Sequence, residues 1–597
     1  MRMPRGSKPV ISVIAALLMS CAFVFVSAKV RSSTGPQSGS EACPGDDSGL
    51  TLPSGFCATV FADNIGHARH MVVAPSGVLY VNTWSGRYYG NDTPVAGGFL
   101  VALGAKGSTG KADLIRRFGE TAANGGTGGT GIGIYGSWLY AEINDRIVRY
   151  ALPKEGIVPA DPPETIVSGL PLSGDHPMHP FLINSQGTMF VDVASATNAC
   201  QEKNRALKSP GLSPCRELET RGGVWRYEAN KTNQTFSPAE RFATGLRNAE
   251  GFAIDAAGRM FVTQHGRDQL HANWPDLYKP DEEATLPAEE VVLLKQGGDY
   301  GWPTCYYDAF RKQLVLAPEY GGDGGKNVGE CANKIEPAAA FAAHWAPNAM
   351  VRYDQRQFPE RYQKGVFIAF HGSWDRAPYP QQGYNVVFQP LDGDHASGPC
   401  EIFADGFAGG EKSPEKAAHR PSGLAVGPDG ALYVSDDARG RIYRIVYGGG
   451  SANPAKMVAC PSLTAPAGAI VESEAKPPEG THPDAGAANG TLPLAEGATR
   501  EMVALGDRIY HGQVAGAACT GCHGDSGQGS PLGPPLNRDK WLWSDGSFSG
   551  IAKVIADGVS QPKQYRSPMP PMGGAQLKPD QVKALAAYVW ALSHQAK

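Results

Sequence analysis

A short pattern of two apolar segments joined by a turn recurs along most of this chain. In each copy the turn ends in glycine and a second apolar segment follows at once. The four clearest copies cover residues 71–81, 181–191, 252–262 and 424–434, and two weaker copies lie at 132–140 and 350–370. Apolar runs separated by a glycine turn are typical of paired strands, so each copy predicts a β-hairpin.

Further apolar strands follow several of these hairpins, at 147–150, 223–227, 384–388 and 442–446. Strand sets that recur in this way predict a mainly β fold, a six-bladed β-propeller. A pair of β-sandwiches is the competing fold, but it would not explain why the same hairpin recurs. Wide gaps between copies, at 85–130, 195–222 and 268–340, predict long loops, which are common places for functional sites.

The length of the chain indicates more than one domain, because 597 residues exceed what a single hydrophobic core usually supports. Residues 461–497 are rich in Ala, Pro, Gly and Glu and have no periodicity, which predicts a flexible linker. The linker separates the propeller, at 43–460, from a small all-α domain at 498–597. The net charge of -4 is spread without long blocks and argues against a nucleic-acid partner.

The N-terminus has the pattern of an export signal. Basic residues precede an apolar run at 10–26, and small residues lead up to Ala28, which predicts a signal peptide over residues 1–28. Two alternatives stay open: the run is long enough to persist as an anchor, and Cys21 ends a weak lipoprotein-type sequence. No other segment is apolar enough to span a membrane, so after cleavage we expect a periplasmic protein without a membrane span.

Near the C-terminus, Cys519, Cys522 and His523 form the pattern C-x-x-C-H. This pattern is the attachment signature of c-type haem, in which the cysteines form thioethers and the histidine binds the iron. A redox dithiol or half of a zinc site is the alternative. Those sites need a βαβ setting or a second Cys/His pair, and neither follows the motif.

Apolar spacing predicts two helices around this motif, at 502–510 and 581–592. Between them a proline-stiffened loop carries Met569 and Met572, and a methionine thioether is a suitable sixth haem ligand. The order of these elements resembles class I cytochrome c over the whole all-α domain. In that family the ligand is usually the methionine before the first proline, which implies Met569, with Met572 as the alternative.

Eight cysteines remain when Cys21, Cys519 and Cys522 are set aside. An even number in an exported protein predicts disulfides. Because eight cysteines allow 105 pairings, we expect the simplest pattern, in which neighbours in sequence pair. The expected pairs are Cys43–Cys57, Cys200–Cys215, Cys305–Cys331 and Cys400–Cys460. Disulfides and covalent haem both favour the bacterial periplasm.

Polar clusters interrupt the hairpin repeat at equivalent strand ends. They are Asp175-His176, Arg247-Asn248, residues 265–268, residues 371–376 and His419-Arg420. In a propeller such strand ends converge on the central channel, so residues distant in sequence face one ligand. Converging arginines beside a histidine indicate an anion site with a proton-transfer group next to it.

Taken together, these clusters resemble the six-bladed quinoprotein sugar dehydrogenases, namely the soluble aldose dehydrogenases that use pyrroloquinoline quinone (PQQ) and the L-sorbosone dehydrogenases. The resemblance covers about residues 55–450. The matching stretches lie at 173–176, 245–251, 264–268, 299–303, 371–376 and 420–421.

This resemblance implies a role for each matching residue. It implies that His176 is the general base that accepts the proton of the substrate hydroxyl group. It implies that PQQ is bound by Arg247, Asn248, Arg376 and Arg420. It also implies a calcium ion held by the backbone carbonyl groups of Gly266 and Arg267, with Asp268 supporting the site.

The sequence therefore predicts a periplasmic quinohaemoprotein dehydrogenase that oxidises a sugar, an aldose or a sorbosone-like alcohol or aldehyde. PQQ and calcium serve the oxidation, and haem c passes the electrons to a cytochrome or oxidase of a respiratory chain. The alternatives are a calcium-dependent propeller lactonase and a non-catalytic electron-transfer or docking module. A lactonase would need acidic and asparagine ligands in the channel in place of arginines.

Overall fold

The computed structural model describes residues 47–84, 97–105, 110–119, 129–172, 174–205, 207–414, 417–449, 458–468, 492–511, 514–515, 517, 519–524, 527, 529, 533–565, 569–575 and 577–595. All of these residues belong to one compact unit, Ala42–Lys597. The predicted signal peptide, Cys43 and the central part of the predicted linker lie outside the described residues.

The first part of the chain forms the predicted six-bladed β-propeller. Blade 1 consists of strands His67–Val73, Leu79–Trp84, Leu100–Gly104 and Leu114–Phe118. Blade 2 consists of strands Ile132–Tyr135, Trp138–Ile143, Arg146–Ala151, Glu164–Ser168 and Gln234–Thr235. Blade 3 consists of strands Phe181–Ile183, Thr188–Val193, Gly223–Glu228 and Arg241–Thr244.

Blade 4 consists of strands Phe252–Ile254, Met260–Gln264, Glu289–Leu293 and Ala339–Phe341. Blade 5 consists of strands Pro347–Arg352, Gly365–Phe370, Asn385–Asp392, His395–Ala396, Glu401–Ala404 and Val458–Ala459. Blade 6 consists of strands Pro421–Val426, Leu432–Asp436, Ile442–Tyr447 and Phe56–Ala62. Because its outer strand Phe56–Ala62 comes from the start of the propeller, antiparallel pairing with Ile442–Tyr447 closes the ring.

The glycine that ends each of the four clearest hairpin turns has a left-handed backbone. Gly77, Gly187, Gly258 and Gly430 have φ angles of 85°, 82°, 81° and 83°. In each turn the glycine N–H donates to the carbonyl group three residues earlier. Glycine adopts this backbone without steric cost, so the recurring residue fixes the turn and the pairing register of the two strands.

Apolar clusters between neighbouring blades form the core of the propeller. The faces of blades 6 and 1, for example, meet through Phe61, Leu79 and Tyr433, and those of blades 5 and 6 through Phe367 and Tyr443. Four further clusters fill the other four junctions between blades. The apolar alternation seen in the sequence thus becomes a ring of side chains, and polar residues at the strand ends are left for the channel.

Two of the three predicted long loops contain strands of their own blades. The segment 85–130 includes the two outer strands of blade 1, and 268–340 includes the third strand of blade 4. A separate hairpin lies within 268–340 and pairs Cys305–Asp308 with Gln313–Leu316. The third strand of blade 4 was not predicted from the sequence because it begins with two buried glutamates, Glu289 and Glu290, instead of apolar residues.

Short helices lie in the connections of the propeller. The α-helices are Leu270–Asn273 and Pro280–Glu283. The 3-10 helices are Arg216–Glu219, Pro238–Glu240, Pro318–Tyr320, Gly329–Asn333 and Glu360–Gln363.

The all-α domain contains both predicted helices. Its α-helices are Arg500–Tyr510, Cys519–His523, Phe548–Asp557 and Pro579–Ser593, and its 3-10 helix is Pro571–Gly574. The first and last helices pack against each other around Val503, Ile509 and Leu585. No helix in the described parts of the chain is both long and apolar enough to cross a membrane.

Three of the four expected disulfides are present. They join Cys200 to Cys215, Cys305 to Cys331 and Cys400 to Cys460. Cys57 is also disulfide-bonded, whereas its expected partner Cys43 lies outside the described residues. The Cys305–Cys331 bond spans the long connection within blade 4, and Cys400–Cys460 joins two neighbouring strands of blade 5.

Candidate active site

The polar clusters at the strand ends meet at one cavity of about 280 Å³. Residues of blades 1, 3, 4, 5 and 6 and of their connections line it. Six of the sequence-predicted residues belong to the lining, namely His176, Arg247, Asn248, Gly266, Asp268 and Arg420. Two others, Arg267 and Arg376, do not.

His176 is held in the protonation state of a general base. Its Nδ1 lies 2.9 Å from the carbonyl oxygen of Ser195 and 3.0 Å from Ser195 Oγ. Because a carbonyl oxygen only accepts hydrogen bonds, Nδ1 carries the proton and Nε2 presents its lone pair. Burial, together with the guanidinium of Arg247, lowers the pKa of His176 well below its ordinary value. The ring is therefore neutral at pH 7.

Two buried arginines share the carboxylate of Asp268. Arg247 Nη2 and Arg205 Nη2 donate to Asp268 Oδ2 at 2.7 and 3.0 Å. Arg205 Nε also donates to Asp175 Oδ2 at 3.0 Å, which ties the residue before His176 to the predicted calcium loop. Burial alone would raise the pKa of Asp268, but the two arginines hold it well below its ordinary value. Asp268 is therefore an ionised anchor for both loops.

A second buried network surrounds Arg69 of blade 1. Its guanidinium lies 2.8 Å from a carboxylate oxygen of Glu250 and 2.7 Å from one of Asp437. Asp437 also lies 2.8 Å from His371 Nε2. Arg69 was not predicted from the sequence, although the repeat contains a signal for it. Arg69 stands two residues before the hairpin at 71–81, just as Glu250 stands two residues before the hairpin at 252–262.

Arg420 and Asn248 retain binding capacity toward a ligand. Arg420 is the lining arginine whose guanidinium has no carboxylate within ion-pair distance among the described residues. It donates instead to the carbonyl oxygens of His371 and Gly372, at 3.1 and 2.9 Å. The Oδ1 atom of Asn248 is buried and has no hydrogen-bond partner in the described part of the chain. An unsatisfied buried amide oxygen costs about 1–3 kcal/mol. The Arg420 guanidinium therefore suits an anionic group of a ligand, and Asn248 Oδ1 suits a hydrogen-bond donor of the same ligand.

Arg376 is buried but faces away from the cavity. Its Nε donates to the carbonyl of Pro380 at 2.9 Å, its Nη2 to that of Ala467 at 3.1 Å and its Nη1 to that of Ala284. All three guanidinium nitrogens thus hold backbone segments together, including the start of the predicted linker. The motif around Arg376 matched, but the direction of this side chain depends on the loop path, which the motif does not specify.

The predicted calcium loop brings only part of its donors to the cavity. Gly266 lines it, but the carbonyl oxygen of Gly266 accepts a hydrogen bond from Arg247 Nη1 at 2.9 Å. The side chain of Arg267 points to Glu319, whose oxygens lie 2.6 and 2.7 Å from Arg267 Nη1. A carbonyl ligand does not depend on that side chain, so the predicted role of Arg267 stays a prediction.

Asp268 also belongs to a buried group with His344 and Asp375 that could hold a cation. One ligand atom from each residue lies within 4.8 Å of the others. His344 Nδ1 lies 3.9 Å from Asp268 Oδ1 and 4.0 Å from Asp375 Oδ2, and its Nε2 lies 2.7 Å from the carbonyl of Glu283. Metal-binding histidines typically donate their second ring N–H to such a carbonyl. The carboxylates suit calcium, whereas the imidazole suits transition ions.

His344, Asp375 and Arg205 were not among the site residues predicted from the sequence. All three lie in connections outside the hairpin repeat, so no periodic signal marked them. Asp375 lies inside the matching stretch 371–376, and its place in that stretch was the one signal available.

A second cavity, of about 120 Å³, lies in the all-α domain. The four predicted haem residues belong to its lining, namely Cys519, Cys522, His523 and Met569. His523 Nδ1 lies 2.8 Å from the carbonyl oxygen of Pro534, so Nδ1 carries the proton and Nε2 presents the lone pair that an iron ion needs. Cys519 and Cys522 form no disulfide. Their thiols, the imidazole and the thioether therefore fit a covalently attached haem.

The two candidate methionines differ in position. Met569 lines the cavity, and its backbone exchanges two hydrogen bonds with Val559, at 2.7 and 3.0 Å. Met572 lies outside the lining and has a left-handed backbone, with φ 57°. This geometry favours Met569 as the sixth haem ligand.

Replacing Met569 by alanine should lower the reduction potential of the haem and let oxidised haem bind added imidazole, because histidine/methionine ligation raises the potential and fills both axial positions. Met572→Ala is the matched control and should leave both properties near those of the wild type. A redox titration and an imidazole titration of the visible spectrum measure these effects. A loss of ligation in Met572→Ala, with none in Met569→Ala, would contradict the assignment.

The two cavities share a wall. The helix Cys519–His523 turns Cys519, Cys522 and His523 toward the haem cavity, whereas Thr520 and the following Gly524 line the propeller cavity. On the propeller side, Asp268 lines the propeller cavity and the next residue, Gln269, lines the haem cavity. The two sites thus lie on opposite faces of the same short segments.

Comparison with known families agrees with this architecture. Residues 50–448 match the family model described as TrAA12-like, and residues 503–593 match that of cytochrome c. The chain belongs to the TrAA12-like family and carries a cytochrome c domain after its propeller.

Individual relatives support the two halves separately. The pyrroloquinoline quinone-dependent pyranose dehydrogenase of Coprinopsis cinerea is 27% identical over 235 residues, which are 34% of this chain and 30% of that protein. The Cbb3-type cytochrome c oxidase subunit FixP of Rhizobium etli is 39% identical over 79 residues, 13% of this chain and 27% of that protein. The matches thus span less than half of these curated relatives.

Among solved structures, the iodide structure of Trichoderma reesei Carbohydrate-Active Enzymes Family AA12 is similar to this chain. The TM-score is 0.53 at 18% sequence identity, and the match covers 67% of this chain and 98% of the other. This similarity supports the propeller fold.

Proposed function

We propose that the protein is an exported, periplasmic quinohaemoprotein dehydrogenase. It oxidises a sugar, an aldose or a sorbosone-like alcohol or aldehyde, and passes the electrons through its own haem to a cytochrome or oxidase of a respiratory chain. The observation that carries this proposal is the shared wall, because a cavity with a base and arginines and a cavity with the haem motif meet at one helix. Membership of the TrAA12-like family and the similarity to a PQQ-dependent relative support it.

Arg247, Asn248 and Arg420 are the residues that we propose to hold PQQ. The cofactor, when bound, supplies a two-electron acceptor. Guanidinium groups bind carboxylates in a planar, two-pronged arrangement, which suits a cofactor with three carboxylate groups. Arg420, which lacks a carboxylate partner among the described residues, and the unsatisfied Oδ1 of Asn248 make the strongest contribution. Arg376 would have to leave its three carbonyl partners to take part.

His176 acts as the general base. Its Nε2 accepts the proton of the substrate hydroxyl group while the Nδ1–H contact with Ser195 keeps the ring in place. Burial and the guanidinium groups of Arg247 and Arg205 lower the His176 pKa, whereas the hydrogen bond to Ser195 and the carboxylate of Asp268 favour the imidazolium that forms. A positioned base of this kind contributes about 10²–10⁴-fold to a rate.

We propose a divalent cation at Asp268. Calcium is the expected ion, held by the carbonyl groups of Gly266 and Arg267 with Asp268, and His344 and Asp375 extend the set of donors. Burial, with the neighbouring carboxylates of Glu283 and Asp268, raises the pKa of Asp375 well above its ordinary value. A cation would relieve that repulsion and keep both carboxylates ionised.

Reconstitution of the purified full chain tests the proposal. We expect PQQ to bind, as followed by calorimetry, and added aldoses to reduce the haem only when both PQQ and calcium are present. Hydrolysis of lactones without PQQ would support the lactonase alternative. Failure to bind PQQ, together with an oxidised haem in the presence of every sugar and alcohol tried, would reject the dehydrogenase and leave the docking module.

A further inference from the structure

The helix Cys519–His523, which we call the haem-attachment helix, presents the polar residue Thr520 to the propeller cavity. Thr520 stands between the two haem cysteines, yet it lines the propeller cavity together with Gly524, four residues later. Positions four apart share one face of a helix, so this face is distinct from the one that Cys519 and Cys522 turn to the haem cavity. The cytochrome c domain therefore contributes directly to the cavity of the propeller.

A second contact shows that the two domains also meet outside this helix. The methionine loop, residues 569–575, includes the 3-10 helix that ends at Gly574. A Cβ atom placed on Gly574 would lie 3.4 Å from the Cβ atom of Ala272, in the propeller helix Leu270–Asn273. Gln269, next to that helix, lines the haem cavity. The domains thus contact each other both at the attachment helix and at the methionine loop.

Thr520 differs chemically from the rest of the cavity lining. Among the described residues that line the cavity, it carries the only hydroxyl group, and the propeller contributes four arginines, four acidic residues and four histidines. A hydroxyl group both donates and accepts hydrogen bonds, which matches the neutral hydroxyl groups of a sugar. On the propeller side, the arginines suit an anionic cofactor, and the histidines and carboxylates suit proton transfer.

We propose that Thr520 is a substrate-binding residue and that the cytochrome c domain forms one wall of the sugar site. This inference rests on the proposed function. A substrate that gives its proton to His176 lies in the same cavity that Thr520 and Gly524 border. The haem domain then has two tasks, to receive electrons through one face of its attachment helix and to contact the sugar through the other.

Substitution of Thr520 tests the contact. Thr520→Val removes the hydroxyl group at nearly constant volume and should raise KM for the sugar by about 3- to 10-fold, the effect of one lost hydrogen bond. Thr520→Ser keeps the hydroxyl group and should raise KM less. Thr520→Trp should raise KM further by filling the cavity. In the valine variant the reduction potential of the haem should be unchanged, and the affinity for PQQ measured by calorimetry should stay within about twofold of wild type.

An engineered disulfide tests whether the cytochrome c domain stays docked on the propeller during turnover. The Cβ separation of 3.4 Å is close to the mean of about 3.8 Å in disulfides, so the double variant Ala272→Cys with Gly574→Cys should cross-link the domains. If the docked arrangement is the working one, sugar-driven haem reduction should change by less than about twofold between the oxidised and reduced forms of this variant. The single variant Gly574→Cys is the control for backbone strain at Gly574, where φ is 85°, and Ala272→Cys is the control for the added thiol.

The outcomes separate this inference from the proposed function. If the wild type reduces its haem with a sugar and Thr520→Val has the wild-type KM, Thr520 is not a substrate contact, while the dehydrogenase stands. Loss of turnover in the cross-linked protein, restored by a reductant, would make the cytochrome c domain a lid and overturn the fixed wall. A wild type that never reduces its haem would overturn both proposals.

Discussion

Replacing His176 by glutamine should lower the rate of sugar-driven haem reduction by about 10²–10⁴-fold, the usual contribution of a positioned general base. Glutamine keeps a polar side chain of similar reach but cannot accept the proton of a hydroxyl group at pH 7. The measurement is the pre-steady-state rate at which the haem is reduced after a saturating sugar is mixed with the reconstituted full chain.

Two controls separate lost catalysis from lost structure. The His176→Gln variant should retain its haem spectrum and bind PQQ with an affinity close to that of the wild type, because the contacts of Arg420 and Asn248 remain. His395→Gln changes an exposed histidine whose imidazole lies against the neighbouring carboxylate of Asp394, and it should react at the wild-type rate. A His176→Gln variant within fivefold of the wild-type rate would contradict the assignment of the base.

The parts of the structure that sequence reasoning found are those that repeat or that are local. The turn glycines Gly77, Gly187, Gly258 and Gly430 mark hairpins because each turn needs a left-handed residue, so this signal identifies four of the six blades, and the two weaker copies at 132–140 and 350–370 identify the other two. The haem motif is contained in five consecutive residues, and its chemistry does not depend on distant parts of the chain. The fold class was therefore predicted correctly.

The parts that it missed depend on how separate segments meet. Arg376 lies in a matching motif, but its guanidinium binds the carbonyl groups of Pro380, Ala467 and Ala284, which belong to three different loops. His344 and Arg205 come from connections without periodicity. No pattern within one segment encodes such contacts. The same holds for the docking of the attachment helix on the propeller cavity.

Ion pairs between buried arginines and carboxylates explain why the propeller cavity can hold many charged side chains near His176. Arg69 lies between Glu250 and Asp437, and Arg247 and Arg205 share the carboxylate of Asp268. A buried charge without a partner is far more costly than a pair. Three of the four lining arginines therefore lie against carboxylates, and we assign Arg420, which has none within ion-pair distance among the described residues, to the cofactor.

Arg69→Met should lower the free energy of unfolding of the propeller by about 3–5 kcal/mol, because it leaves two buried carboxylates without their cation. The side chains of Arg69, Glu250 and Asp437 are 2%, 3% and 1% exposed, so the two carboxylates stay largely desolvated when their partner is removed. The measurement is urea unfolding followed by tryptophan fluorescence. Arg444→Met is the matched control, since its partner Asp429 is 47% exposed and such pairs contribute at most about 1 kcal/mol.

The effect of Arg69→Met should also depend on pH in a defined direction. Burial alone would raise the pKa of Asp437, but His371 and Arg69 hold it well below its ordinary value, so this group stabilises the folded protein above its unfolded pKa. Burial raises the pKa of Glu250 against the opposing effect of Arg69. Without Arg69 both pKa values rise, and the penalty disappears as the carboxylates become protonated. The difference between wild type and Arg69→Met should therefore shrink as the pH falls from 7 toward 4, and a difference that stays constant over this range would show that Arg69 acts through packing and not through charge.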